Sequence, residues 1–243
     1  MNNVLQITSI GFFVGVIGTG IGGLLALALG KPGNKSLSFI LGFAAGIMLT
    51  IICFDLLPEA FKRGNFIIGL IGIIMGVLMI IFIDERVNKN RKNKIICDKS
   101  FTKMGFLVGL GIALHNFPEG LAIGSGFMAT KELGIGISIV IALHNIPEGI
   151  AMAAPMRVGG ISKFRVILFT LLVGFPMGIG AFIGAVLGNI SEEFIAFCLS
   201  FAGGTMLYIT CGELIPKSRN LYIGKTSSIG LILGFILGLL MTK

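Results

Sequence analysis

The chain has 243 residues, of which 55% are hydrophobic and only 12% charged, with a mean hydropathy of +0.99 and a net charge of +8. A soluble domain carries about 25% charged residues, so this composition excludes a water-soluble globule, and its apolar content excludes disorder. What remains is an all-α integral membrane protein of several spans, for which 37 glycines suit helices packed at close range.

Apolar runs of spanning length, about 20 residues, lie at 4–30, 37–61, 65–84, 104–129, 132–155, 164–188, 193–216 and 222–241. They predict eight transmembrane helices, because the strands of a barrel would alternate apolar and polar residues and these runs do not. The start, MNNVLQITSI, lacks a basic stretch, so the first run reads as a retained helix rather than a cleaved leader. The gaps after the first, third, fifth and seventh runs hold 15 of the 19 Lys and Arg residues, from Lys31 and Lys35 to Arg219 and Lys225. The other side holds Lys62, Arg63, Lys131 and Lys243. This asymmetry predicts a cytoplasmic location for the first set and extracytoplasmic termini. It also explains the positive charge without any nucleic-acid partner. The longest gap, residues 85–103, is polar and basic and is expected to be a cytoplasmic loop. The four cysteines, Cys53, Cys97, Cys198 and Cys211, form no CxxC pair and suggest neither a disulfide framework nor a thiolate zinc site.

Two repeats are written into the chain. IALHNFPEGLA at 112–122 and IALHNIPEGIA at 141–151 agree at nine of eleven positions with an offset of 29. FAAGIMLTIICFDLLPEA at 43–60 and FAGGTMLYITCGELIPKS at 201–218 agree at nine of eighteen, offset 158, with Asp55 falling on Glu213. The same offset relates Gly20, Ile21 and Gly22 to Gly178, Ile179 and Gly180, and Gly72 and Gly76 to Gly230 and Gly234. The first three helices thus correspond to the last three. Because the offset crosses an odd number of helices, the triplets have opposite topology. The expected architecture is a 3+2+3 inverted-repeat bundle in one transmembrane domain: residues 1–84, a central pair at 104–155, and residues 163–243. Inverted repeats of this kind place a transporter's substrate near the midplane.

His115 and Glu119 lie four residues apart and so share one face of the fourth helix; His144 and Glu148 repeat the pattern on the fifth. These are the only two histidines, and all four groups sit at mid-membrane depth, where a charge costs at least about 2.5–3.5 kcal/mol. A bound dication accounts for them: two imidazoles and two carboxylates suit Zn²⁺, and the carboxylates offset its charge. Imidazole argues against Mg²⁺ and Ca²⁺ but does not separate Zn²⁺ from Fe²⁺, Mn²⁺, Co²⁺, Ni²⁺ or Cd²⁺. A His–Glu pair stitching two helices together, and a proton relay, are the competing readings. Pro118 and Pro147 are expected to break their helices at this depth, and Gly120 and Gly149 to ease the distortion. The amides of Asn116 and Asn145 offer further oxygen donors.

HNFPEG and HNIPEG on the fourth and fifth of eight helices resemble the signature of the ZIP family of divalent-metal transporters, in particular its prokaryotic GufA-type branch. LLPEA at 56–60 and the 203–216 stretch are similar to that family's second and seventh helices. The resemblance implies import of Zn²⁺ and related ions into the cytoplasm across the cell membrane, a homodimer, and a rigid-body movement of helices one, four, five and six against the rest. It also implies the metal ligands His115, Asn116, Glu119, His144, Asn145 and Glu148. Relatives with two metals often carry a glutamate on helix six, where this chain has Met177, and some carry an aspartate in place of Asn145. Met177 is read as a core methionine.

Asp55 and Glu59 near the outer end of the second helix, and Glu213 near the inner end of the seventh, are candidate entrance and exit carboxylates. Cys53 and Cys211 are read as packing residues, and Glu192 and Glu193 as solvated helix-start charges. No GxxxxGK[ST] motif is present, which removes a self-contained ATP pump, and no cofactor is expected. An intramembrane metalloprotease would need HExxH; asparagine follows the histidine in both copies, so no enzyme is expected. A membrane metal sensor or scaffold with a static site is the alternative to a transporter.

Overall fold

Helix is the only regular structure among the described residues, as hydrocarbon demands of a chain that must satisfy each backbone N–H and C=O within its own segment. The computed structural model describes residues 2–89, 97–187 and 191–241. In chain order the elements are α1 (Asn2–Ala28), α2 (Asn34–Ile51), a π-helical turn (Ile52–Leu56), α3 (Leu57–Arg63), α4 (Phe66–Lys89), α5 (Cys97–Ala129) and α6 (Lys131–Val158). Then follow α7 (Lys163–Leu187), α8 (Glu192–Tyr208), a second π-helical turn (Ile209–Leu214), α9 (Ile215–Leu221) and α10 (Thr226–Met241). Among the described residues seven helical stretches are long and apolar enough to cross a membrane, α2–α3 and α8–α9 each counting as one. The eighth, α10, starts at Thr226 rather than at 222 and has 16 residues. Large apolar side chains such as Phe13, Leu78, Leu172 and Leu240 are exposed, as the lipid-facing residues of a multi-pass membrane protein are.

Two expectations are corrected. Residues 85–89 and 97–103 of the expected loop are helical, extending α4 and α5; residues 90–96 lie outside the described residues. The expected breaks at Pro118 and Pro147 do not occur, and α5 and α6 run through both prolines. The distortions are elsewhere. Pro58 and Pro216 stand in the first turns of α3 and α9, each directly after a π-helical turn. A proline ring crowds the carbonyl four residues back, here those of Phe54 and Gly212, and a local widening of the helix relieves that clash.

The helices pack in two groups. α1, α5, α6 and α7 lie mainly on one another, while α2 packs on α10 and α4 on α8. Glycine sets the spacing of the second group. No Cβ would fit at Gly76, against the carbonyl of Phe201, or at Gly234, against the carbonyl of Phe43. These two contacts carry residue numbers related by the 158 offset.

Candidate metal centre

The centre is built where α5 and α6 lie side by side within the first group. His115 and Glu119 are one turn apart on α5, and His144 and Glu148 one turn apart on α6; all four side chains are buried. Glycine brings these helices against their outer neighbours. A Cβ on Gly149 would strike the Thr19 carbonyl of α1, and one on Gly120 the Met177 carbonyl of α7. The mating positions, Gly22 and Gly180, are equally closed, against the carbonyls of Ile146 and Phe117. The glycine of each HNxPEG copy therefore serves close packing rather than relief of a break. Thr19 ties α1 to α7 by donating from Oγ1 to the Thr170 carbonyl at 2.6 Å.

Across the α5–α6 seam, His144 Nε2 donates to Glu119 Oε1 at 2.7 Å. His115 Nε2 lies 3.1 Å from Glu119 Oε1 and 3.3 Å from Glu148 Oε1. His115, Glu119 and His144 each offer one ligand atom, all within 4.8 Å of one another. Asn116 donates from Nδ2 to the Val173 carbonyl of α7 at 2.7 Å, which leaves its Oδ1 without a hydrogen bond. Asn145 is fully buried with neither amide atom hydrogen-bonded.

Nine buried side-chain N or O atoms among the described residues lack a hydrogen-bond partner, and eight belong to His115, Asn116, Glu119, Asn145 and Glu148. A buried polar group left unpaired costs about 1–3 kcal/mol, and a charged one more. Orphans gathered in one place call for an explanation, and five of the eight are oxygens of the kind a cation accepts as ligands.

A cavity of about 520 Å³ reaches this centre from one end of the bundle, its lining including Glu119, His144, Asp55, Glu59, Lys62 and Arg63. Toward the other end the seam is apolar and closely packed. Met104, Val108 and Ile112 on α5, Met152 and Met156 on α6, and Ile209 and Leu214 in the second π-helical turn are buried in one apolar cluster.

Comparison with known proteins identifies the family. The sequence pattern of the family described as "ZIP Zinc transporter" matches residues 84–242, well over half the chain. The zinc transporter ZupT of Shigella flexneri serotype 5b is 35% identical over 251 residues, covering 97% of this chain and 93% of that protein. ZupT of Escherichia fergusonii is 36% identical over 233 residues, covering 91% and 90%. The chain belongs to the ZIP zinc transporter family. That family is one of transporters rather than enzymes, in keeping with an asparagine, and not a glutamate, after each histidine.

Within the ZIP frame the remaining candidates fall at opposite ends. Asp55 and Glu59 line the open cavity, whereas Glu213 lies beyond the apolar cluster, 3.9 Å from Lys103 Nζ. Met177 is fully buried against Ile123 and Ile141, a core residue. Two lesser readings change. Cys53 and Cys211 are exposed rather than packed, carried to the lateral surface on the π-helical turns. Glu192 is not merely solvated: it accepts from Arg63 Nη1 at 2.9 Å, while Arg63 Nε donates to Glu59 at 2.6 Å. Sequence reading also missed Lys103, counted there only as a topology charge. Its partners are far away in sequence, so no local motif announced it.

Proposed function

We propose that this protein carries divalent transition-metal ions, Zn²⁺ foremost, across the cell membrane into the cytoplasm, with His115, Asn116, Glu119, His144, Asn145 and Glu148 as the transport site. The observation that carries the proposal is the gathering of eight orphaned polar atoms on five of these residues. The relatives are zinc transporters, which supports Zn²⁺ as the substrate, and the His/carboxylate donor set extends the range to Fe²⁺, Mn²⁺, Co²⁺ and Cd²⁺. A dication arriving between His144 and Glu119 takes the place of the Nε2 proton they share, and the imidazole then carries its proton on Nδ1. The charges of Glu119 and Glu148 then balance the metal's charge in a low dielectric.

Import is what the family resemblance implies; the basic residues put the cytoplasm on the side rich in Lys and Arg, so the cavity with Asp55 and Glu59 is the outer entrance. Glu213 is then an exit carboxylate. The architecture belongs to the same proposal, a single domain of inverted repeats around the α5–α6 pair. The related contacts Gly76–Phe201 and Gly234–Phe43, and the two π-helical turns, support it. Family resemblance supplies the homodimer and the movement of α1, α5, α6 and α7 as one body.

The deciding experiment is uptake of a panel of metals into proteoliposomes containing the purified protein. Zn²⁺ accumulation that saturates with concentration supports transport. Zn²⁺ binding without accumulation would instead identify a static sensor or scaffold site.

A further inference from the structure

We infer that Lys103 is a cationic latch, joining the two helix groups at the end of the bundle opposite the cavity and holding that end shut. This goes beyond the ligand set and rests on the transport reading for its purpose. Lys103 lies twelve residues before His115 on α5, roughly 18 Å along the helix at about 1.5 Å per residue. Its Nζ sits 2.5 Å from Asp84 Oδ1 on α4 and 3.9 Å from Glu213 Oε1 in the second π-helical turn. The three side chains are only 16%, 14% and 22% exposed, so the cluster is largely shielded from water.

Placement makes it a latch. α5 belongs to the group of α1, α6 and α7, whereas α4 packs on α8, whose chain continues into the turn that carries Glu213. Each ion pair therefore crosses from one group to the other. An interaction biases a conformational equilibrium only if it differs between the states, and a pair across a sliding boundary exists in one arrangement and not the other. Between the cluster and the metal centre lies the apolar plug of Met104, Val108, Ile112 and Met152. The plug excludes water, and the ion pairs fix the alignment that keeps it closed. Removing the ammonium leaves Asp84, which also bonds Tyr208 of its own group, and Glu213, which has Lys217 nearby, without the cation that joins them to α5, a loss felt in this arrangement. Opening hydrates both carboxylates and relieves it.

The test reads access without needing metal flux. Val108, fully buried in the plug, is replaced by cysteine after Cys53, Cys97, Cys198 and Cys211 are changed to serine. A membrane-impermeant maleimide is applied to the intact protein in vesicles from each side in turn. Lys103→Ala should label several-fold faster than the parent from the Lys103 side alone, and Lys103→Arg at the parent rate. Asp84→Lys should also label fast, and the exchange Asp84→Lys with Lys103→Asp should slow it again. Parent-rate labelling in a folded Lys103→Ala protein overturns the latch. If that variant does not fold, labelling of the exchanged pair as fast as Asp84→Lys alone overturns it. Loss of zinc uptake in the parent with this labelling pattern intact would refute the transport reading and leave the latch standing.

Discussion

His144 donates from Nε2 to Glu119 Oε1 at 2.7 Å, joining two helices through residues 25 apart in sequence. Each histidine also has a glutamate one turn along its own helix, yet it is the glutamate of α5 that meets both imidazoles. Glu119 is thus the hinge of the site, and Glu148 reaches it only through His115. Glu119→Ala and His144→Ala should each weaken zinc binding by more than the 10–100-fold that loss of an outer hydrogen-bond partner costs, and abolish measurable uptake. Calorimetry and proteoliposome flux on folded variants check this. Wild-type uptake in either variant removes the assignment.

The entrance carboxylates should behave differently. Asp55 and Glu59 line the cavity without belonging to the orphaned set at its floor. On the proposed reading Asp55, whose neighbour Glu59 is already paired with Arg63, raises the local cation concentration, an effect that falls with ionic strength. Asp55→Asn should raise the KM for zinc a few-fold at low salt, with kcat held, and the difference should shrink in added salt. A drop in kcat at unchanged KM would place Asp55 among the ligands instead.

Close packing of the site helices rests on glycine, and this too can be measured. Gly149 faces the Thr19 carbonyl and Gly22 the Ile146 carbonyl, with no room for a Cβ at either. Overpacking a filled interior costs about 1–3 kcal/mol, and here the added atoms meet backbone rather than a movable side chain. Gly149→Leu should lower the thermal midpoint in detergent and separate α1 from α6. Gly136, with open space where its Cβ would lie, should accept alanine with no loss. Equal midpoints for the two variants would refute the packing account.

How much of this could be read in the chain follows from the range over which each signal acts. The spans come from summed hydropathy, a property each segment carries alone, and they emerged with ends shifted by a few residues. The duplicated HNxPEG announced the four metal-ligand candidates because an i,i+4 spacing dictates a shared face. It did not announce that Glu119 would serve both histidines, which depends on the rotation of α5 against α6. The sequence marks Pro118 and Pro147 as helix breakers no more strongly than Pro58 and Pro216, since local chemistry is the same for all four. What differs is the local outcome: α5 and α6 continue through their prolines as α-helix, whereas the chain after α2 and after α8 widens into a π-helical turn ahead of Pro58 and Pro216. Lys103 illustrates the limit most plainly, since its partners Asp84 and Glu213 lie on two other elements.

One dication per protomer should bind tightly, not two. A pair of unit charges 4 Å apart interacts by about 4 kcal/mol at an effective dielectric of about 20, and two dications by four times that. A binuclear centre therefore needs compensating anions. This site has two, Glu119 and Glu148, against a charge of +4 for two metals. Asn116 and Asn145 are neutral, and Met177 is turned into an apolar contact with Ile123 and Ile141. Since its backbone carbonyl already touches Gly120, directly after Glu119, a carboxylate introduced at 177 would stand near the centre. Met177→Glu should raise occupancy of a second site, and Asn145→Asp should add to it. Anomalous scattering from crystals soaked at modest zinc concentration measures this directly. Two fully occupied peaks within about 4 Å, the spacing of binuclear centres, in the unmodified protein would show that charge does not limit the site.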